Sequence, residues 1–130
     1  MIAKNRKELL IMNKVIVAFL MIINLSVAHA DEYVKRNGAL SLFLNNGTAE
    51  FNINTSNGNA SGVCNIDDTA RAVSAAEGQR NRWVYSDSSS ACVAVISELN
   101  DGSVNVMTRS CENYCGISAV GSMDGKYRIK

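Results

Sequence analysis

The segment ALSLFLNNGTAEFNI, residues 39–53, places the strongest constraint on how this chain folds. Asn46-Gly47 favours a type I′ turn because both positions accept a positive φ. Apolar and polar residues alternate on either side of the turn, which is typical of an antiparallel pair with one buried face. The turn places three apolar pairs on the same side: Leu44 with Ala49, Leu42 with Phe51, and Leu40 with Ile53.

A second hairpin is predicted in CVAVISELNDGSVNVMTRSC, residues 92–111. Asp101-Gly102 is a strong signal for a two-residue loop between β-branched runs. That loop sets Cys92 opposite Cys111, although a bulge would shift the register. The apolar face of this hairpin is predicted to comprise Val93, Val95, Leu99, Val104 and Val106.

Shorter strand signals fill the rest of the chain. They predict strands at 62–66, 70–73 and 82–86, a turn or one short helical turn at 74–81, and a last strand pair around Asp124-Gly125. Short strands at regular intervals are typical of all-β folds. We therefore predict an all-β domain of about eight short strands, arranged as a small antiparallel barrel or sandwich.

The N-terminal region has the anatomy of a secretory signal peptide. A lysine precedes the apolar run Val15–Ile23, and Ala28-His29-Ala30 supplies an A-x-A cleavage site. The apolar run is short for a membrane span, and an uncleaved N-terminal anchor is the alternative. We predict a signal peptide over residues 1–30, with Met12 as an alternative start, and a single domain over 31–130. Export to the bacterial periplasm or medium is the expected location, with no stable membrane insertion after cleavage.

Charge and histidine content exclude several function classes. The predicted exported part has 9 Lys+Arg and 11 Asp+Glu, a net charge of −2, so no basic stripe for nucleic acid is present. The only histidine, His29, lies in the predicted signal peptide. Nucleophile systems that use histidine as the base are therefore excluded. Adjacent Asp67 and Asp68 lack the alternating ligand spacing of a calcium loop. We expect no enzyme activity, no cofactor and no metal.

All four cysteines, Cys64, Cys92, Cys111 and Cys115, lie in the predicted exported part. An even number in a small exported domain indicates disulfides. Only one pair is close in sequence, whereas a zinc ribbon needs two, and the C-x-x-x-C spacing differs from the C-x-x-C redox motif. The hairpin register favours Cys92–Cys111 and leaves Cys64–Cys115. The rival connectivity is Cys64–Cys92 with Cys111–Cys115.

The candidate binding residues lie near the C-terminus. Ser122, Lys126, Tyr127 and Arg128 crowd one short turn, predicted as a hairpin tip. Lysine and serine donors match carboxylate acceptors, so this tip is suited to an acidic cleft in a partner protein. Tyr114, between the last two cysteines, is either an exposed interface residue or a cover for the disulfide.

The export signal, the predicted architecture and the stretch SMDGKY, residues 122–127, together resemble the periplasmic and membrane-bound inhibitors of c-type lysozyme. That family forms a small antiparallel β-barrel with a short Ser-Gly…Tyr motif. The resemblance implies that Ser122 and Lys126 contact the catalytic carboxylates of a lysozyme, with Tyr127 in support. Met123 and Asp124 separate the serine from the glycine here, unlike the family motif.

These features predict a binding protein that inhibits a cell-wall hydrolase by inserting a loop into its active site. One alternative is an immunity protein against a secreted toxin that acts in the periplasm. A second alternative is a carrier of a small apolar ligand in the barrel interior. The bulky residues predicted for that interior argue against the carrier.

Overall fold

The structure, a computed structural model, describes residues 30–58 and 62–130. Each strand pairs with the next in antiparallel fashion, and the last strand pairs with the first to close a barrel. The strands are β1 (Asp31–Lys35), β2 (Gly38–Asn45), β3 (Thr48–Ser56), β4 (Val63–Val73), β5 (Gln79–Ser86), β6 (Val93–Leu99), β7 (Val104–Arg109) and β8 (Gly125–Ile129). The predicted all-β class is confirmed, in its barrel form. Residues 1–29 of the predicted signal peptide lie outside the described residues.

The hairpin of β2 and β3 has the register that its sequence predicts. Leu42 pairs with Phe51, and the neighbouring pairs are also those predicted. Asn46 and Gly47 have φ values of 41° and 84°, which the type I′ turn requires. Leu44 has its predicted partner but is 51 % exposed, because it lies next to the turn.

The hairpin of β6 and β7 differs from its prediction by one residue. Leu99 N donates to Ser103 O at 2.8 Å, so the loop has three residues and ends in Gly102 with φ 87°. A shift of one residue turns every side chain of a strand to the opposite face. The prediction that Val93 and Val95 point inward is therefore wrong, and both lie on the outer face. The residues of β6 that enter the core are Ala94 and Ile96.

Both predicted disulfides are present, and the rival connectivity is wrong. Cys64 bonds to Cys115 and Cys92 to Cys111. The last pair of the β6–β7 ladder joins Val93 to Arg109, so the shifted register alone would place Ser110 beside Cys92. Ser110 instead has a left-handed φ of 58° and the chain turns there, which brings Cys111 back to Cys92. The chain thus has the disulfide framework of proteins that mature in an oxidising compartment.

Three other strand predictions are corrected. The sequence signals do not predict β1, and β4 runs continuously over Val63–Val73, where the signals assign two separate strands at 62–66 and 70–73. The segment before β8 forms two short 3-10 turns, Glu112–Tyr114 and Ile117–Ala119, so the predicted strand pair around Asp124-Gly125 is wrong. Asp124 Oδ1 accepts hydrogen bonds from Thr108 N at 2.9 Å and Thr108 Oγ1 at 2.6 Å. These bonds fix Asp124 against β7 at the point where β8 begins.

Bulky side chains fill the interior of the barrel. The largest fully buried ones come from six strands and the segment before β8: Leu40, Phe51, Ile53, Ile66, Ile96, Val104, Val106, Met123 and Tyr127. Each such side chain contributes roughly 1.5–3 kcal/mol through loss of contact with water. An eight-stranded barrel is just wide enough for its own side chains to occupy the centre. The side chains that can reach a partner therefore lie on the outer surface and at the barrel ends.

Candidate functional site

Ser122 lies in the turn before β8, and its hydroxyl points toward the barrel. Ser122 Oγ is 2.7 Å from Thr55 Oγ1 and 3.3 Å from the sulfur of Cys64. The residue is half-buried, and Thr55 is 98 % removed from solvent. The serine predicted to contact a partner thus joins the turn to β3.

Tyr127 is in the barrel core. Its side chain is fully buried, and its hydroxyl donates to Met123 O at 2.7 Å. Burial raises the pKa of this phenol, and the negative charge of Asp124 raises it further. The residue predicted to support partner binding therefore lies on the opposite face of β8 from its neighbours Lys126 and Arg128, which are exposed.

Tyr114 is half-buried in the first 3-10 turn, where its hydroxyl joins two other groups. It donates to Asp87 Oδ2 at 2.8 Å and is 2.9 Å from the hydroxyl of Tyr85, which then acts as donor. Hydrogen bonds from Ser89, Tyr114 and Ser90 hold the pKa of Asp87 well below its usual range. This network ties the Cys111–Cys115 segment to the loop before β6.

Lys126 and Arg128 are the predicted site residues that remain accessible. Lys126 Nζ pairs with Asp101 Oδ2 at 2.9 Å, and the two side chains are 40 % and 52 % exposed. Hydrogen bonds hold the pKa of Asp101 below its usual range, with the larger effect from Ser103 and a smaller one from Lys126. An exposed pair of this kind contributes only about 0–1 kcal/mol, so Lys126 can exchange Asp101 for a carboxylate of a partner at low cost.

Arg128 lines an open cavity of about 550 Å³ at one end of the barrel. The other walls come from β1, β5, β6, the β6–β7 loop and the end of β8: Tyr33, Arg80, Glu98, Asp101, Gly102, Ser103 and Ile129. Arg80 Nη2 donates to Asn100 O at 2.6 Å, which holds its guanidinium beside the loop. Sequence reasoning missed Arg80 and Tyr33, because these walls meet only after the barrel closes.

Lys35 of β1 fixes the turn that leads into β8. Its Nζ donates to Ser122 O at 2.5 Å and to Asp124 O at 2.9 Å, and it lies 5.3 Å from the centre of the Tyr127 ring. Burial lowers the pKa of this amine, while the charge of Asp124 opposes that effect. Lys35 therefore positions Lys126 and Arg128 by holding the backbone before them.

We expect Lys35→Met to lower the free energy of unfolding by roughly 1–3 kcal/mol, because two backbone carbonyls lose a charged donor. Methionine retains the apolar stem, so the loss reports on the ammonium group. Urea unfolding followed by tryptophan fluorescence measures the change. Arg36→Met, at the exposed next position, is the matched control and should stay within about 0.5 kcal/mol of the wild type. Equal stabilities for the two variants would contradict this role.

Among residues 30–58 and 62–130, no group of three or more acidic, histidine or cysteine side chains is arranged to hold a metal ion. In that same part of the chain, no helix is long and apolar enough to cross a membrane.

The protein is a closed eight-stranded barrel with two disulfides, and the outward face of β8 carries two cations beside an end cavity. No protein-family model, curated protein or solved structure matches the chain.

Proposed function

We propose that this chain is an exported binding protein that inhibits a cell-wall hydrolase by covering its active site. The observation that carries the proposal is the pair of exposed cations, Lys126 and Arg128, on one strand of a barrel stapled by two disulfides. The predicted signal peptide and the disulfides support the periplasm or the medium as the location.

The chemistry of the partner follows from these two cations. Glycoside hydrolases use two carboxylates that flank the scissile bond in an open cleft. A lysine and an arginine on one strand present charged donors to such carboxylates. Because Lys35 and the disulfides fix the backbone that leads into β8, little conformational freedom is lost on binding, which favours affinity. The proposed contact set is Lys126, Arg128 and the end cavity; it leaves out Ser122, whose half-buried hydroxyl points toward the barrel and bonds to the buried Thr55.

The test is a turbidity assay of cell-wall lysis by a c-type lysozyme in the presence of the purified Asp31–Lys130 form. We expect the wild type to slow lysis. We expect the double variant Lys126→Glu/Arg128→Glu to require at least about tenfold more protein for half inhibition, because two attractive contacts become repulsive. Arg36→Glu/Arg71→Glu makes the same change in net charge at exposed positions away from β8 and is the matched control.

Two outcomes contradict the proposal. Absence of inhibition by the wild type at any concentration removes the hydrolase as partner. Equal inhibition by both double variants removes Lys126 and Arg128 from the contact surface.

A further inference from the structure

The outer face of β5 to β7 carries an apolar strip, which the shifted register extends over β6 by turning Val93 and Val95 outward. Val84, Val95 and Met107 are direct neighbours across β5, β6 and β7. Val93 extends the strip on β6, and Met107 is 62 % exposed. Polar residues are the usual occupants of the outer face of a small water-exposed barrel, so this strip requires an explanation.

Three arginines border this strip. Arg71 pairs with Val84 across β4 and β5, and Arg109 pairs with Val93 across β6 and β7. Arg82 precedes Val84 by two positions on the same face of β5, and its Nε is buried without a hydrogen-bond partner. The ion pairs among the described residues are Lys126–Asp101 and Lys130–Glu32. None of the three guanidinium groups therefore forms an ion pair within this part of the chain. We call the four apolar residues and three arginines the arginine-flanked face.

A groove of about 350 Å³ runs along this face. Its walls are Arg82, Val93, Val95, Met107, Thr108 and Arg109, which include no acidic side chain. The carboxylate of Asp124, beside the groove wall at Thr108, already accepts two hydrogen bonds from that residue through Oδ1. The groove thus combines an apolar floor with free guanidinium donors, and a volume of this size accommodates one or two large side chains.

We infer that the arginine-flanked face docks an acidic amphipathic segment of a protein partner, such as a helix with apolar side chains along one stripe and carboxylates beside it. The apolar side chains would enter the groove, and the carboxylates would pair with the guanidinium groups, which bind them in bidentate fashion. An apolar centre with an arginine rim is the composition typical of interface hot spots. This inference uses neither Lys126 nor Arg128 and does not rest on inhibition of a hydrolase.

The charge of this protein favours an acidic protein segment over an anionic membrane as the partner of the arginine-flanked face. Electrostatic attachment to lipid surfaces uses clusters of about four to eight basic residues. This face has three, and the predicted exported part has a net charge of −2, which repels an extended anionic surface. A short acidic segment contacts only the local positive charge, so it avoids most of that repulsion.

The test uses a fluorescein-labelled synthetic helix with glutamates beside a stripe of leucine and phenylalanine, and a matched helix with glutamine for every glutamate. We expect the Asp31–Lys130 form to bind the acidic helix in fluorescence anisotropy, with at least about tenfold weaker binding of the glutamine helix. Met107→Asp and Arg71→Gln/Arg109→Gln should each weaken binding of the acidic helix by about tenfold or more, with wild-type circular dichroism as the check on folding.

Ile117→Asp is the matched control, since Ile117 is 96 % exposed on a different part of the surface, and it should bind as the wild type does. The inference is overturned by equal binding of the two helices or by wild-type affinity in Met107→Asp. It is also overturned if anionic phosphatidylglycerol vesicles bind the protein while the acidic helix does not, because the face would then recognise a lipid surface.

Discussion

Replacing Cys64 and Cys115 together by serine is expected to lower the free energy of unfolding by about 4 kcal/mol. The bond joins residues 51 positions apart, and Cys64 is fully buried. In the chain-entropy description, cutting a long cross-link releases more conformational freedom in the unfolded chain than cutting a short one. This bond also anchors the segment that returns the chain to β8, because Gly116 N donates to Val63 O beside it at 2.9 Å.

The matched comparison is Cys92→Ser/Cys111→Ser, whose bond spans 19 positions and should contribute about 3 kcal/mol. Urea unfolding of both variants and the wild type gives the three free energies. A domain of this size is stable by roughly 5–15 kcal/mol, so each loss is a large fraction of the total. A smaller loss for Cys64–Cys115 than for Cys92–Cys111 would contradict the argument from loop length.

Tyr127→Ala is expected to destabilise the domain by roughly 3–5 kcal/mol, the range found when a large buried aromatic side chain is truncated. Tyr127→Phe should cost only about 1–2 kcal/mol, because it removes the bond to Met123 O and keeps the ring. Urea unfolding gives both values. The phenylalanine variant should inhibit lysozyme as the wild type does in the turbidity assay, since the hydroxyl lies inside the barrel.

These two variants separate a core role from a partner contact. A loss below about 1 kcal/mol in Tyr127→Ala would be inconsistent with full burial of the ring. Loss of inhibition in Tyr127→Phe, with stability retained, would return Tyr127 to the contact surface, as the resemblance to lysozyme inhibitors implies.

Local turn chemistry made the β2–β3 hairpin predictable, because Asn46-Gly47 strongly favours a two-residue type I′ loop and the alternation is nearly complete. The β6–β7 hairpin was harder to predict. Asp101-Gly102 suits both a two-residue loop and the last positions of a three-residue loop, and apolar residues lie on both faces of β6. Ser103 N and Ser103 Oγ both donate hydrogen bonds to Asp101 Oδ1 in the longer loop, and these bonds cannot be read from propensity.

The candidate site was only partly predictable, for a related reason. Alternation along β8 places Lys126 and Arg128 on one face and Tyr127 on the other, but the sequence does not show which face is inside. Lys35, Arg80 and Arg82 have their roles because distant strands become neighbours in the barrel. The cysteine pairing was predicted correctly although the register behind it was displaced, since the left-handed turn at Ser110 offset the longer loop.

The seam between β1 and β8 determines when the barrel forms. It joins the beginning of the domain to its end through two residue pairs, Tyr33 with Ile129 and Val34 with Arg128. A chain that emerges from a ribosome or a translocation pore with its N-terminus first cannot make these pairs until β8 has emerged. Both disulfides likewise wait for residues 111–115. Until then, β1 has an unpaired edge and the long-range contacts are incomplete, which delays folding until the whole domain is available.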